Sequence, residues 1–166
     1  MPYRTGIGYD LHRTAPGRPL ILGGVRIEAP FGLLGHSDAD IVLHALCDAL
    51  LGAAGLGDIG DLFPDTDPAY KDADSRGFVT EVLARVRAAG YRVVNADCII
   101  HAQRPKLGPR KAEIRAAVAA LLGLPPDAVG MKATTNEELD AIGRGEALAC
   151  WATVLLARDD HAPTGG

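Results

Sequence analysis

The apolar positions of this chain fall into two periods, and the switches between them mark its elements. Tyr3 to Tyr9 predicts a strand, and Pro19 to Ile27 a second strand or a hairpin with the Gly23-Gly24 pair at its bulge or turn. Residues 32–37 read as a loop. Ile41, Leu43, Leu46, Leu50 and Leu51 then recur at helical spacing, predicting a helix from Asp40 to Ala53, capped by Ser37 or Asp38 and ended by Gly55-Leu56-Gly57. Asp58 to Asp72 predicts a loop long enough to suggest function. Ser75 to Ala89 reads as an amphipathic helix closed by Gly90, Tyr91 to Ala102 as a strand, and Gln103 to Pro109 as a second loop. A helix from Arg110 to Leu122, a strand from Ala128 to Ala133 and a nearly unbroken apolar strand from Glu146 to Arg158 complete the pattern. Together they predict an α+β fold: a single layered domain over residues 1–158, with a mixed β-sheet, helices packed on one face, and a flexible tail over 159–166.

Composition narrows the function classes. The chain has 166 residues, 48% of them hydrophobic and 23% charged, which suits one ordered domain with its own core. Its net charge of −4 argues against a nucleic-acid or anionic-membrane surface. An anionic substrate would have to be held by local cations, a metal or backbone amides. No apolar run approaches the roughly 20 residues needed to span a bilayer. Met1-Pro2-Tyr3-Arg4 leads into a strand rather than a secretory apolar core. Cys47, Cys98 and Cys150 are odd in number and sit in apolar contexts, as expected of buried thiols in a cytoplasmic protein.

The chemistry concentrates in a few places. Asp10 and His12, with one residue between them on a strand, point to the same side. With His44 from the following helix they would supply three corners of a tetrahedron and leave the fourth open, the layout of a working zinc site. Asp40, His44 and Asp48 are spaced by four along the helix, and Asp48 is positioned to orient His44. His36-Ser37 just ahead of the helix reads either as a plain cap or as a phosphate contact. Thr134-Thr135-Asn136-Glu137 reads as the start of a helical turn, or as a phosphate cradle in which Glu137 offers an oxygen to Mg²⁺. Arg144, between two glycines, reads as a turn residue or as an anion contact at an oligomer axis. The acidic loop lacks an EF-hand's closing Glu, and no P-loop or G-x-G-x-x-G occurs.

In order along the chain, Gly8-Tyr9-Asp10-Leu11-His12, Gly35-His36-Ser37-Asp38-Ala39-Asp40, Leu43-His44-Ala45-Leu46, Leu56-Gly57-Asp58-Ile59-Gly60, Leu62-Phe63-Pro64-Asp65-Thr66-Asp67, Pro105-Lys106-Leu107, Lys132-Ala133-Thr134-Thr135 and Gly143-Arg144-Gly145-Glu146 resemble the 2-C-methyl-D-erythritol 2,4-cyclodiphosphate synthase family of the non-mevalonate isoprenoid pathway. The resemblance departs at Asp140-Ala141-Ile142, where members carry a Gly followed by Phe or Leu and then Thr.

The resemblance implies a phosphorus-oxygen lyase, assembled as a homotrimer with active sites at the subunit interfaces. Its substrate would be 4-diphosphocytidyl-2-C-methyl-D-erythritol 2-phosphate, closed to the cyclic diphosphate with loss of CMP. It puts Zn²⁺ on Asp10, His12 and His44, and Mg²⁺ or Mn²⁺ on Glu137 with the substrate phosphates. His36 and Thr135 take the positions credited with transition-state stabilisation. Asp58, Ile59, Gly60, Phe63, Pro64, Asp65, Thr66 and Asp67 would meet the methylerythritol phosphate half. Ala102, Pro105, Lys106, Leu107, Ala133 and Thr134 would lie by the cytidine, with Asp10, His12, His36, Ser37, Thr135, Asn136, Glu137 and Arg144 also at the substrate. A metal-dependent phosphohydrolase would use the same ligands, and a zinc-stabilised binding module would instead close the fourth coordination position.

Overall fold

The computed structural model describes residues 2–158, so the tail expected at 159–166 lies outside the described residues. Strand β1 (Tyr3–Pro16) is long because two neighbours share it. Its first part pairs antiparallel with β7 (Ala147–Arg158), and Thr14, Ala15 and Pro16 pair with β4 (Phe31–Leu33), a strand that runs into the segment expected to be a loop. The five-stranded sheet runs β4-β1-β7-β5-β6, with β5 (Tyr91–His101) and β6 (Val129–Thr134) as its parallel pair. A parallel pair needs a crossover, and α4 (Lys111–Leu122) supplies it. The Gly23-Gly24 turn joins β2 (Leu20–Leu22) to β3 (Val25–Ile27) as a separate hairpin, as expected. Both glycines have positive φ, 62° and 77°.

Helices α1 (Ile41–Ala54), α3 (Ser75–Ala88) and α4 cover one face of the sheet. The register explains how. Gly8, Ala152 and Cys98 stand opposite one another, as do Asp10, Cys150 and Ile100, and the apolar members of both rows are buried under the helices. Intervening residues face the other way. There Ile7, Tyr9, Leu11 and Trp151 remain exposed, the Tyr9 and Trp151 rings 4.4 Å apart.

The cap of α1 is Asp40, not Ser37 or Asp38. Its Oδ1 accepts from the amides of Val42 (3.0 Å) and Leu43 (3.2 Å) and also from Gly23 (2.8 Å), while Oδ2 accepts from Gly24 at 2.6 Å. A carboxylate this buried needs several donors, and these bolt the hairpin turn onto the helix start. Asp40 therefore leaves the polar stripe it was expected to share with His44. The long acidic loop carries α2 (Ile59–Leu62), closed at its start by a reciprocal Asp58–Asp61 capping box, and a 3₁₀ turn at Pro68–Tyr70. Residues 135–139 do not open a helical turn. Glu137 and Glu138 hold positive φ of 50° and 62°, and α5 (Asp140–Gly143) begins later.

Candidate active site

Strand β1 and helix α1 approach unusually closely. A Cβ on Gly8 would lie 2.0 Å from the Ala45 carbonyl oxygen, and one on Gly6 would lie 1.9 Å from that of Ala49. Only glycine permits this contact, and it carries Asp10 and His12 past the first turn of α1, where His44 projects. One oxygen, Asp10 Oδ2, lies 3.1 Å from His12 Nε2 and 3.1 Å from His44 Nδ1. One donor atom from each residue lies within 4.8 Å of the others, so the three residues paired from the sequence form one potential metal-binding group.

The outward-facing ring nitrogens are also engaged. His12 Nδ1 lies 2.8 Å from the Leu34 carbonyl oxygen, to which it can only donate, so in the neutral ring the Nε2 lone pair points at Asp10. His44 Nε2 lies 2.9 Å from Ser75 Oγ and 3.2 Å from Ser37 Oγ. Asp48, expected to orient His44, instead accepts the Ile59 amide at 2.8 Å and anchors the start of α2. Burial alone would raise the Asp10 pKa. The hydrogen bonds and charges of His12 and His44 outweigh it and hold the carboxyl well below the usual carboxylate range. Burial likewise opposes charge on His12, but its bond to Asp10 prevails and the imidazole pKa rises.

These three residues line a cleft of about 500 Å³. His36, Ser37, Ile59, Gly60, Phe63, Pro64 and Asp65, all among the residues that the resemblance puts at the substrate, line it. Asp58, Thr66 and Asp67 do not. Asp58 caps α2, and Asp67 accepts the Ala69 amide with its carboxylate and bonds His36 Nε2 through its carbonyl at 2.9 Å. Three lining residues were missed, Gly35, Tyr70 and Phe78. Phe63 stacks on Phe78 at 4.4 Å and meets Tyr70 edge-on at 5.4 Å, making an aromatic wall. Phe78 was visible only as one apolar position of an amphipathic helix, which is the same signal a core residue gives.

The remaining expected residues gather elsewhere. Ala102, Pro105, Lys106 and Leu107 follow β5, while Ala133, Thr134, Thr135, Asn136 and Glu137 lie at the end of β6, and none of them lines the cleft. The two groups are tied locally: the Ala102 amide donates to the Thr134 carbonyl at 2.9 Å, and Asn136 Oδ1 meets His101 Nδ1 at 3.2 Å. The Thr135 hydroxyl donates to Glu137 Oε1 at 3.3 Å. Arg144 is exposed and paired with Glu146 at 3.0 Å. Asp10 and Ala133 share a sheet row with Cys150 and Ile100 between them, about 14 Å at the usual strand spacing. Both intervening side chains are fully buried, so this row offers no open path between the groups.

Comparison with known proteins agrees across the chain. The YgbB family model matches residues 3–157. A 2-C-methyl-D-erythritol 2,4-cyclodiphosphate synthase of Bordetella avium (strain 197N) is 58% identical over 158 residues, covering 95% of this chain and 98% of that protein. A cyclodiphosphate synthase structure in a CDP-bound form superposes with a TM-score of 0.85 at 44% identity, covering 92% of this chain and 99% of the other. The bifunctional IspDF of Campylobacter jejuni matches with a TM-score of 0.91 at 43% identity, covering 95% of this chain, which spans 43% of that longer protein. No helix among the described residues is long and apolar enough to cross a membrane. With the family model matched almost end to end and relatives more than half identical, the chain belongs to the YgbB family of 2-C-methyl-D-erythritol 2,4-cyclodiphosphate synthases.

Proposed function

We propose that the protein converts 4-diphosphocytidyl-2-C-methyl-D-erythritol 2-phosphate to 2-C-methyl-D-erythritol 2,4-cyclodiphosphate and CMP, a phosphorus-oxygen lyase step of non-mevalonate isoprenoid biosynthesis. The observation that carries it is the convergence of Asp10, His12 and His44 in a cleft, in a chain 58% identical to a named synthase. In the reaction an oxygen of the 2-phosphate forms a bond to the β-phosphorus, and the bond from that phosphorus to the oxygen bridging it to CMP breaks. The nucleophile is already anionic at neutral pH, so no side chain has to remove a proton. The obstacles are repulsion between phosphates and the entropy of bringing the two ends of one molecule together.

The donor set fits the ions. One carboxylate oxygen and two imidazole nitrogens suit Zn²⁺, and the cleft leaves room for a fourth ligand. A single exposed carboxylate, Glu137, suits Mg²⁺ or Mn²⁺ that is shared with phosphate oxygens. Bound there, the ions supply charge neutralisation and polarisation of the phosphoryl oxygens. Asp10, His12 and His44 would hold the first ion, while His36 and Thr135 would donate to oxygens that gain charge in the transition state. Ser37, Ile59, Gly60 and the Phe63–Asp67 segment with Asp58 orient the methylerythritol phosphate and exclude water. Ala102, Pro105, Lys106, Leu107, Ala133 and Thr134 hold the cytidine, with Asn136 and Arg144 beside them.

The second group must come to the cleft from somewhere other than the buried row beneath it. An interface between copies provides this, and the uncovered apolar sheet face of Ile7, Tyr9, Leu11 and Trp151 supports self-association. We therefore take the working form as a homotrimer with shared sites. A ³¹P NMR time course with substrate and Mg²⁺, with and without a zinc chelator, tests the function. Cyclic-diphosphate resonances growing with CMP and abolished by the chelator are expected, and orthophosphate release instead would mark a phosphohydrolase.

A further inference from the structure

We infer that Ser75 and Asp38 are positioning residues for His44: their hydrogen bonds decide which ring nitrogen carries the proton and turn the other toward Asp10. The inference rests on the metal site proposed above and adds a support to it. Asp38 is a carboxylate and can only accept. Its Oδ2 takes the Ser75 backbone amide at 3.1 Å, and its Oδ1 takes the Ser75 hydroxyl in a short bond of 2.5 Å. A serine has one hydroxyl proton. With that proton given to Asp38, the Ser75 oxygen can offer His44 Nε2, 2.9 Å away, only a lone pair. The 2.9 Å contact is then a hydrogen bond only with the proton on Nε2, and in that neutral ring Nδ1 presents its lone pair 3.1 Å from Asp10 Oδ2.

A lone pair facing a carboxylate oxygen is a poor contact by itself and a good one with a cation between them. His12 also turns a lone pair toward Asp10, in the opposite tautomer, through the Leu34 carbonyl, which is part of the backbone and cannot change its polarity. The His44 support is made of side chains and can be altered by substitution. Its parts are firmly held. Ser75 is fully buried at the first residue of α3, and the Asp38 amide is bonded to the Ala73 carbonyl at 3.0 Å. Ser37 Oγ, at 3.2 Å from the same Nε2, also accepts the Ala39 amide and is the weaker partner.

Asp38→Asn separates positioning from simple bracing. The Ser75 amide requires an acceptor where Oδ2 now lies, so the asparagine oxygen takes that place and its NH₂ faces Ser75 Oγ. The serine proton is then redirected to His44 Nε2, and the ring is driven to the opposite tautomer. Ser75→Ala removes the nearer of the two oxygens at Nε2, with little change of shape, and leaves only the weaker Ser37 partner. The experiment measures zinc affinity by competition with a chromogenic chelator for wild type, Ser75→Ala and Asp38→Asn. It also reads the His44 tautomer by long-range ¹⁵N–¹H NMR of histidine-labelled protein, metal-free and zinc-loaded, and records metal-free thermal unfolding. Expected are an Nε2–H ring in the wild type, a shift toward Nδ1–H in metal-free Asp38→Asn, and zinc binding weakened about 10- to 100-fold in both variants. A bracing role would lower the unfolding temperature and leave tautomer and zinc affinity where they were. That result, or an Nδ1–H ring in the wild type, would overturn the inference. A wild type that binds no zinc would remove the metal reading, with the metal-free tautomer still deciding between the two roles for Ser75 and Asp38.

Discussion

Asp10 Oδ2 is shared by two imidazoles at 3.1 Å each, and this sets the pH behaviour of the metal-free protein. The Asp10 carboxyl is held below its ordinary value of 3.8, so its contribution to stability is present above that pH and is lost as pH falls through it. The His12 ring is raised above its ordinary 6.5, so its contribution is present below that pH and is lost as pH rises past it. Asp10→Ala should therefore lower the metal-free unfolding temperature most between about pH 4 and 6.5, a gap that narrows on either side. Unfolding scans of both proteins from pH 3 to 9 check this, and a constant gap would contradict it. The same variant should lose zinc and nearly all turnover while keeping its far-ultraviolet spectrum. At this scale the sequence was informative where spacing alone decides direction. Asp10 and His12 had to share a side of a strand, and His44 was the helical histidine that could reach them. It misled where two carboxylates compete. Asp40 and Asp48 both lay in register with His44, yet each turns to backbone amides that only the folded hairpin and α2 bring near.

Elements hold the site through one close contact. Because Gly6 and Gly8 let α1 rest on the backbone of β1, the helix carries His44 to within hydrogen-bond reach of a strand residue. Gly8→Ala should push the two apart and cost about 3 kcal/mol or more, at the upper end of overpacking penalties. Zinc affinity should fall with stability, whereas Gly52→Ala, on the same helix with open space around it, should leave zinc binding intact. Chemical denaturation with chelator competition on each variant measures both effects. Most helices and strands were legible within a residue or two, because their apolar periods are long and uninterrupted. One exception is β1, expected to end at Tyr9, which runs on to Pro16 because β7 and then β4 pair with it; the short elements share another cause. β4 is three residues long and exists only because β1 extends to meet it, and α2 is one turn whose apolar side depends on tertiary contacts. Neither leaves a period to read.

For the whole molecule, the two groups of residues proposed to bind substrate sit at the same end of the sheet with a closed core between them. If neighbouring copies complete each site, a zinc-side variant and a nucleotide-side variant should rescue one another. Asp10→Ala and Lys106→Ala, each inactive alone, should regain about a quarter of wild-type turnover when unfolded together and reassembled in equal amounts, since each mixed trimer contains one intact junction. No recovery, with mixed trimers shown to form, would place each site within a single copy. Nothing in one chain's hydropathy could distinguish these cases. The last strand reads as apolar whether its outer face meets a partner or the solvent.

That outer face also carries the chain's one tryptophan, Trp151, opposite Tyr9. The protein thus has a built-in optical gauge of its own association. Emission should be red-shifted from separated copies, in which the indole meets water, and blue-shifted once a partner covers it. A dilution series read at one wavelength would follow assembly without a label, and zinc titrated into the same cuvette would reveal whether filling the cleft tightens the hold between copies.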